Sequence, residues 1–444
     1  MRRPAVLPCF TFAFLALSAC DDTPPPIVLD AGPRIDAGRR DAGPRPDAGP
    51  PRDAGPLDAG DSGPVPMPDG GGAVHCTVDP AHVHELGADP FGGDRIVGLA
   101  AGATSFAVVW TQVPEGQSIQ QVVGRRIESS GELAGSGPVT ITPGRSGRKQ
   151  WPVVAATGSS WVVAWIDNSS DAFEVYTQGL ATDLAPTGTA MPVTATPARM
   201  EDNAVLLDRS GGLMLAWVED MTAGTRVARA QPLATDGTPT GGIATASNAE
   251  DRPGQIAIGE LADGPVLVWS EGMGGRSTVY MQGLTSAGAV RGPRVRVSAD
   301  AEENSDGTVD AALAPSGGAI VFGALVSGIR PEVRFRAIGP EGELLGDERV
   351  LAHGNGASVA RFAGGFAVAY RAPASGETPA QIRLMLVSAL GDVVAEVPVV
   401  DAPTEGGRTT VRVSGDGRIG IAWAEPSDAG TAIGAAVVTC GVGS

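Results

Sequence analysis

The chain has 444 residues with 50 acidic and 32 basic side chains, a formal net charge of −18 at pH 7. This balance argues against DNA or RNA as a partner, because neutralisation of phosphates by Lys and Arg supplies most nucleic-acid affinity. Length alone would allow two or three domains. A long internal repeat in residues 74–444 favours one large closed domain instead.

The first twenty residues predict export. Arg2 and Arg3 form a basic start, and residues 6–17 are apolar but too short to span a bilayer comfortably. Small residues then supply a cleavage site at positions 17–20, Leu-Ser-Ala-Cys. We therefore expect residues 1–19 to be a signal peptide.

The same tetrapeptide resembles the bacterial lipobox. The resemblance implies cleavage before Cys20, which would become the lipidated N-terminus of the mature protein. Several acyl chains together anchor a protein stably where one would not. We therefore expect the chain to be attached to the cell membrane or the outer membrane, with the rest in the periplasm or outside the cell. The alternative is ordinary secretory cleavage that leaves a free cysteine.

Residues 20–73 have a low-complexity composition. Asp-Ala-Gly recurs at positions 30, 36, 41, 47, 53 and 58, interleaved with Pro and Arg. Such a sequence cannot build a core, so we predict a disordered tether. At about 3 Å per residue it could reach on the order of 150 Å when stretched. A recognition segment for a partner is the alternative.

Residues 74–444 contain a sevenfold repeat. Short apolar segments end in an aromatic residue at Trp110, Trp165, Trp217, Trp269, Phe322, Tyr370 and Trp423. Successive aromatics are 48 to 55 residues apart, a period typical of propeller blades or solenoid units.

Each repeat can be divided into four strands. In the second repeat these are residues 152–156, 161–167, 173–180 and 191–196. The run at 162–165 is apolar throughout rather than alternating, so both faces of the sheet should be covered. Blades sandwiched between neighbours meet this condition. The sequence thus predicts an all-β fold, a seven-bladed β-propeller of four-stranded antiparallel blades.

The two ends of the repeat region complement each other. The last repeat, residues 410–440, has only three strands, and residues 74–86 could supply the fourth. Cys76 and Cys440 lie in these terminal strands, and they are the cysteines left after processing removes Cys9 and lipidates Cys20. We predict a disulfide between them across the closing blade. Two unpaired buried thiols are the alternative.

The whole arrangement resembles a family of exported bacterial lipoproteins. The resemblance rests on repeats of apolar-apolar-Trp-acid, a further strand and a Gly-containing turn, placed behind a lipobox and a Pro/Asp-rich tether. It covers nearly the whole chain. This family is largely uncharacterised, so the resemblance implies an envelope location and a propeller shape rather than an activity.

Acidic residues recur at equivalent places in the repeats. Two residues after the aromatic stand Gln112, Asp167, Glu219, Glu271 and Glu425, and connections between repeats carry Glu201, Asp202, Glu250 and Asp251. In a four-stranded blade both loop classes emerge on one face, where the acids could hold a divalent cation such as calcium, or a cationic ligand. Alternatively each acid fixes a loop by bonding backbone amides or an arginine such as Arg226 or Arg276. Repetition favours this second interpretation.

Few residues outside the repeated acids are candidates for contacting a ligand or a metal. Trp151 is expected before a strand, in a basic loop between repeats, and is the best candidate for an exposed aromatic ligand contact. A transition metal could bind His75, His82 and His84, although a surface group without function is the preferred interpretation. The sequence has no Gly-x-Ser-x-Gly elbow, phosphate-binding loop or dinucleotide fingerprint.

These observations favour a membrane-anchored, monomeric envelope lipoprotein that presents a propeller as a binding or scaffolding module for a protein or glycan. The alternative is a propeller-type hydrolase or lyase acting on envelope or extracellular glycans. An enzyme needs a few non-repeated polar side chains that converge in a deep pocket. The repeated acids favour the non-catalytic module. A purely structural envelope protein is a third hypothesis.

Overall fold

A computed structural model describes residues 74–89, 97–116, 118–169, 173–194, 199–221, 225–248, 250–273, 276–299, 308–326, 330–402, 407–427 and 430–442. The predicted signal peptide, Cys20 and the predicted tether lie outside these ranges. The described residues form seven four-stranded antiparallel sheets. Among them, no helix is long and apolar enough to cross a membrane.

The sheets are the blades of a seven-bladed propeller, and in each blade the strands follow one another from the channel outward. Blade 1 contains β2 (Gly98–Ala101), β3 (Ser105–Gln112), β4 (Gln121–Glu128) and β5 (Val139–Thr140). Blade 2 contains β6 (Lys149–Thr157), β7 (Ser160–Asp167), β8 (Glu174–Leu180) and β9 (Pro186–Pro192). Blade 3 contains β10 (Arg199–Arg209), β11 (Gly212–Met221), β12 (Thr225–Leu233) and β13 (Ala244–Thr245).

The remaining blades follow the same pattern. Blade 4 contains β14 (Pro253–Leu261), β15 (Gly264–Met273), β16 (Arg276–Leu284) and β17 (Val290–Arg296). Blade 5 contains β18 (Val309–Ala314), β19 (Gly317–Val326), β20 (Arg330–Ile338) and β21 (Leu344–His353). Blade 6 contains β22 (Asn355–Phe362), β23 (Gly365–Ala372), β24 (Gln381–Val387) and β25 (Val393–Asp401). Blade 7 contains β26 (Thr409–Val413), β27 (Ile419–Ser427), β28 (Gly430–Val442) and, outermost, β1 (Val74–Asp89).

Both ends of the repeat region meet in blade 7. Strand β1 pairs antiparallel with β28, from Val74 opposite Val442 to Asp89 opposite Thr431. The predicted disulfide joins the two strands, because Cys76 and Cys440 are bonded and pair in register. The first strand of the region therefore completes the last blade, as the sequence predicted.

The hydrophobic core lies between blades rather than within one. Seven buried clusters each combine residues of two adjacent blades, including one that joins blade 7 to blade 1. The aromatic that ends each second strand packs against the preceding blade; for example, Trp165 lies in a cluster with Val109 of blade 1. The regular aromatic spacing thus marks one residue per blade interface, which explains why it gives the blade count.

Neighbouring blades cover both faces of a second strand. In β7, residues 162–166 have no exposed surface. This accounts for a sequence that is apolar at every position instead of every second one.

Outer strands are less well predicted than inner ones. The fourth strand of blade 2 is β9, Pro186–Pro192, whereas the sequence predicts residues 191–196, so the prediction overlaps the strand only at residues 191 and 192. The physical reason is exposure: Thr187, Gly188 and Thr189 face solvent. A strand that is exposed to solvent has no regular pattern of apolar residues, so hydrophobic patterning does not locate it.

The central channel is narrow, with a cavity of about 130 Å³ between the inner strands. Its polar side chains bond neighbouring inner strands. Ser358 Oγ accepts from the Val411 amide at 3.1 Å and donates to Asp310 Oδ2 at 2.5 Å. Thr410 Oγ1 donates to the Val97 carbonyl at 3.1 Å. These groups therefore hold blades 5, 6, 7 and 1 together around the axis.

Candidate functional site

The acids identified in the sequence lie at one end of the propeller, which we call the basal face. Asp167, Glu219, Glu271 and Glu425 lie at or near the ends of β7, β11, β15 and β27, the second strands of their blades. Asp251 is in the connection that leads to β14. The common placement on one face agrees with the alternation of strand direction in the blades.

Arginines within or beside the same blade bind the acids of blades 2, 3 and 4. Arg145 Nε donates to Asp167 Oδ2 at 3.0 Å, and Arg229 Nε donates to Glu219 Oε2 at 2.5 Å. In blade 4 the single guanidinium of Arg294 binds both Asp251, at 2.6 Å, and Glu271, at 2.9 Å. The acids of these three blades are thus neutralised locally by nearby arginines.

Two of these arginines also stack on aromatic rings. In blade 2, Trp165 and Tyr176 pair across strands with ring centroids 5.9 Å apart, and the Arg145 guanidinium lies 4.1 Å from the Tyr176 ring centroid. Blade 4 repeats the arrangement with the Arg294 guanidinium 4.2 Å from the centroid of Tyr280. Such cation–π contacts stabilise by about 0.5–1 kcal/mol when exposed and more when desolvated. The acid orients the arginine over the ring, which is a structural role.

Blade 2 contains a second, fully buried cation. Lys149 is the only lysine in the sequence, and its side chain has 0% exposure. Its ammonium donates to the carbonyls of Arg145 (2.9 Å) and Gly147 (2.9 Å) and also to that of Ser146, and lies 3.9 Å from Asp167 Oδ2. A cage of carbonyl and carboxylate oxygens is the kind of environment that holds a metal cation, and here the ammonium occupies it.

The charges around Asp167 shift its acidity. Burial opposes ionisation of this carboxyl, but hydrogen bonds from Ser169, the charge of Lys149 and the bond from Arg145 outweigh it and lower its pKa. Asp167 is therefore an ionised structural anion at neutral pH rather than a proton donor. Burial raises the pKa of Glu271, and Arg294 only partly offsets it.

Glu425 is the exception among the repeated acids. Its Oε2 is buried and accepts no hydrogen bond from the described residues. Burial raises the pKa of Glu425, Arg371 lowers it, and Glu85 raises it further. An ionised carboxylate in this position costs folding free energy, because a buried charge needs partners.

Replacing Glu425 with Gln is therefore expected to stabilise the protein at pH 7 by about 1 kcal/mol, since the charge is removed while the shape is kept. A carboxyl with a raised folded-state pKa loses its contribution to stability as pH rises through that pKa. The gain should accordingly vanish near pH 4, where the wild-type carboxyl is protonated. Urea denaturation at pH 4 and pH 7 measures the gain in stability at pH 7 and its disappearance near pH 4.

Glu219→Gln is the matched control for this experiment. Glu219 occupies the equivalent position in blade 3, but its carboxylate accepts a hydrogen bond from Arg229. Glu219→Gln should therefore lower the stability of the protein at pH 7. If Glu425→Gln and Glu219→Gln both destabilised, the account of Glu425 as an unpaired buried acid would be wrong.

The other predicted residues do not join a common site. Glu201 and Asp202 lie within β10 rather than in the connection before it, so that placement is corrected. Glu250 is exposed.

Trp151 also differs from its predicted placement. It lies inside β6, at a bulge between Gln150 and Val153, and not in a loop before the strand. Its φ of 45° is unusual for a bulky residue. The side chain is half-buried and packs on the core between blades 2 and 3, because the bulge turns it toward that interface.

The histidines serve contacts between blades 7 and 1. His84 Nε2 lies 2.8 Å from the Gly131 carbonyl, and His82 Nε2 lies 3.7 Å from Glu132. Among the described residues, no group of three or more His, Cys, Asp or Glu side chains could hold a metal ion.

A cavity of about 730 Å³ opens on the basal face beside blade 6. We call it the basal pocket. Described residues that line it include Pro331, His353, Asn355, Tyr370, Pro373, Ala374, Ser375, Thr378, Pro379, Gln381, Arg383 and Glu396. Its volume is within the range of small-molecule sites. One wall is the connection 373–380, closed by two 3.0 Å backbone hydrogen bonds between Ser375 and Thr378.

A chain of hydrogen bonds and ion pairs fixes the polar side chains of the basal pocket. Tyr370 donates its hydroxyl to Glu396 Oε1 at 2.5 Å, and Arg383 Nε lies 2.8 Å from the same oxygen. Arg383 Nη1 donates to Gln381 Oε1 at 3.2 Å, and Gln381 Nε2 donates to Asp401 at 2.9 Å. Burial and the bond to Glu396 raise the pKa of Tyr370. The phenol is therefore protonated at neutral pH.

The basal pocket was not identified from the sequence. Two signals were present: the sixth repeat has Tyr370 in place of Trp and Ala372 in place of the acid, and its connection 373–380 is long and contains two prolines. The fifth repeat also lacks the Trp and the acid, with Phe322 and Ala324, so it is the combination with the long connection 373–380 that could have indicated this site.

Comparisons with known proteins give only distant similarities. No protein-family model and no curated protein matches the chain. Among solved structures, the Dos1 propeller has a TM-score of 0.46 at 9% identity, covering 80% of this chain and 93% of that one. A subtype N10 neuraminidase-like protein of A/little yellow-shouldered bat/Guatemala has a TM-score of 0.42 at 12% identity, covering 83% and 99%. The endo-arabinase of Bacteroides thetaiotaomicron has a TM-score of 0.37 at 11% identity, covering 72% and 99%. Similarities this distant carry no argument about activity.

Proposed function

We propose that the chain is a lipid-anchored envelope protein that presents its propeller as a binding module, with the ligand site in the basal pocket. The observation that carries this proposal is the convergence of polar side chains, from Tyr370 to Glu396, in one cavity of about 730 Å³. Repeated features serve blade packing. The Tyr370 hydroxyl departs from the repeat, since the other blades have Trp or Phe at this position, whereas the Arg383–Glu396 pair has an equivalent in blade 5, Arg334 with Glu348.

Binding fits the basal pocket better than turnover does. A general acid or base must be able to exchange a proton with the substrate. Glu396 instead accepts from Tyr370 and pairs with Arg383, and Tyr370 keeps its proton at neutral pH. Groups held in this way present fixed hydrogen-bonding positions, which suit recognition rather than hydrolysis or elimination.

The chemistry of the basal pocket suits a chain rich in hydroxyl or amide groups. The Arg383 charge is balanced by Glu396, so the pair attracts neither anions nor cations strongly. Pro331, Pro373 and Pro379 supply apolar surface, and His353 and Gln381 supply polar groups. A neutral glycan segment or an extended peptide meets these conditions.

The test is binding of the full chain to a panel of neutral envelope glycan fragments and, separately, of extended peptides. Ala374 is exposed on the pocket wall, so Ala374→Trp fills the cavity without removing any of the hydrogen bonds between Tyr370 and Asp401. It should weaken binding at least tenfold. Ala287→Trp, at an exposed turn of blade 4, is the control and should bind normally.

Equal binding by both Trp variants would place the ligand elsewhere and overturn the proposed site. Binding confined to one arm of the panel identifies the ligand as glycan or peptide. Cleavage of a bound glycan would overturn the non-catalytic role in favour of a hydrolase or lyase.

Anchoring has its own test. Cys20→Ser removes the thiol that the lipobox-like tetrapeptide would present for acylation, so nearly all of the protein should move from the membrane fraction to the soluble fraction. Cys9→Ser changes a cysteine within the predicted signal peptide and should leave the distribution unchanged. Retention of the Cys20→Ser protein in membranes after a salt wash would contradict lipid anchoring.

A further inference from the structure

An apolar groove lies on the face opposite the basal pocket, which we call the apical face. The hairpins that join first and second strands are on this face. The groove has a volume of about 460 Å³ and passes between blades 5, 6 and 7. Its apolar lining comes from Ile338, Leu345, Phe362, Phe366, Leu390 and Val413. We call it the apical groove.

Two leucines along the apical groove are unusually exposed for their type. Leu390 is 58% exposed and Leu345 is 37% exposed. Exposed apolar side chains are common singly, but a group of them that lines a groove marks an interaction surface. The apical groove is therefore expected to be covered in the functional protein.

The start of the propeller lies on this same face. Val74 pairs with Val442 at the end of β28, and further along the strand Val438 pairs with Ile419. Ile419 in turn pairs with Val413, at the β26–β27 hairpin. Val413 also lines the apical groove. The chain that precedes Val74 thus leaves the propeller at the end of blade 7 that helps to form the groove.

The sequence before Val74 has a composition suited to such a groove. Residues 64–68 are Pro-Val-Pro-Met-Pro, which place Val65 and Met67 between prolines, and three glycines at 70–72 separate them from β1. Prolines favour an extended polyproline II conformation, a form that docks in apolar grooves at low entropic cost. The seven residue-to-residue steps from Met67 to Val74 span about 22 Å when extended, enough to turn back over the apical face.

We propose that residues 64–68 dock in the apical groove, with Val65 and Met67 against Leu390 and Leu345. Docking within one chain proceeds at an effective concentration in the millimolar range. A contact with an intrinsic Kd of about 1 mM would therefore be occupied about half of the time. In the docked state the tether ends at residue 64 and the apolar surface is covered. Release lengthens the tether and exposes the apical groove.

The first test is hydrogen exchange of residues 361–366 and 388–394 in the full chain. The double variant Val65→Ser with Met67→Ser should exchange about twofold faster in these segments, the change expected when a half-occupied cover is lost. Ile35→Ser with Leu57→Ser removes two apolar side chains from earlier parts of the tether and should exchange as the wild type does.

The second test supplies the segment in trans. A synthetic peptide of residues 62–73 should bind the Val65→Ser/Met67→Ser chain and restore protection. It should not bind when Leu390→Asp is added, a change that the exposure of Leu390 makes compatible with folding. Unchanged exchange in the double variant together with no peptide binding would overturn the proposal. Protection that rises with protein concentration, together with a doubled mass in light scattering, would show that a second copy of the chain occupies the apical groove. That result would also overturn the proposal.

Discussion

Replacing both Cys76 and Cys440 with Ser is expected to lower the stability of the propeller by about 5 kcal/mol, the entropic value of a cross-link that closes so long a loop. The two cysteines are separated by 364 positions, so the bond constrains nearly the whole repeat region in the unfolded state. It also fastens β1, which is held in blade 7 by pairing with one strand, β28. The melting temperature should fall by roughly 5–10 °C.

Thermal unfolding with and without dithiothreitol checks this expectation. Reductant should lower the melting temperature of the wild type and leave the double serine variant unchanged. The variant should still fold, because the backbone pairing of β1 with β28 and the His84 contact to Gly131 do not involve sulfur. Equal melting of the variant and the oxidised wild type would show that closure by strand pairing alone suffices.

The blade count was predictable because one buried residue per blade is chemically distinctive. Trp165 and Trp217 have no exposed surface and each packs on the blade before its own. That interface requires a large apolar side chain at the same place in every repeat. Closure was predictable for a similar reason, since a three-stranded last repeat leaves an unpaired strand edge that β1 can cover.

The outer strands could not be predicted in the same way. Strands β5 and β13 have two residues each, and β9 is largely exposed. They are selected by hydrogen bonding to the third strand, which leaves no hydrophobic pattern. Their bounds depend on the turn that precedes them.

The site was predictable only in part. The sequence placed Asp167, Glu219 and Glu271 on one face, because strand alternation fixes where second strands end. It did not show their partners, since these come from different elements: Arg145 precedes β6, whereas Arg229 lies in β12. The basal pocket depends on an ion pair between Arg383 of β24 and Glu396 of β25, two residues that are 13 positions apart in the sequence and are brought together only by strand pairing.

Lys149→Met is expected to destabilise the protein by about 3–5 kcal/mol, the usual cost of removing one partner of a buried ion pair. The methionine side chain fills similar space but cannot donate a hydrogen bond. It would leave the carbonyls of Arg145, Ser146 and Gly147 without their buried donor and Asp167 without a neighbouring charge. Chemical denaturation at pH 7 measures the loss.

Two further comparisons separate the charge from the packing around Lys149. Lys149→Met combined with Asp167→Asn removes both charges, so it should cost less than the sum of the single changes because the two groups interact. Burial lowers the pKa of Lys149, Asp167 raises it, and Arg145 lowers it again. Between this lowered pKa and the ordinary value of 10.5, the unfolded chain binds one more proton, so the stability of the wild type should rise with pH in that window. The Lys149→Met variant should lack this rise. An unchanged denaturation midpoint in Lys149→Met at pH 7 would mean that the carbonyl cage is satisfied without the ammonium, and the structural role assigned to this lysine would be wrong.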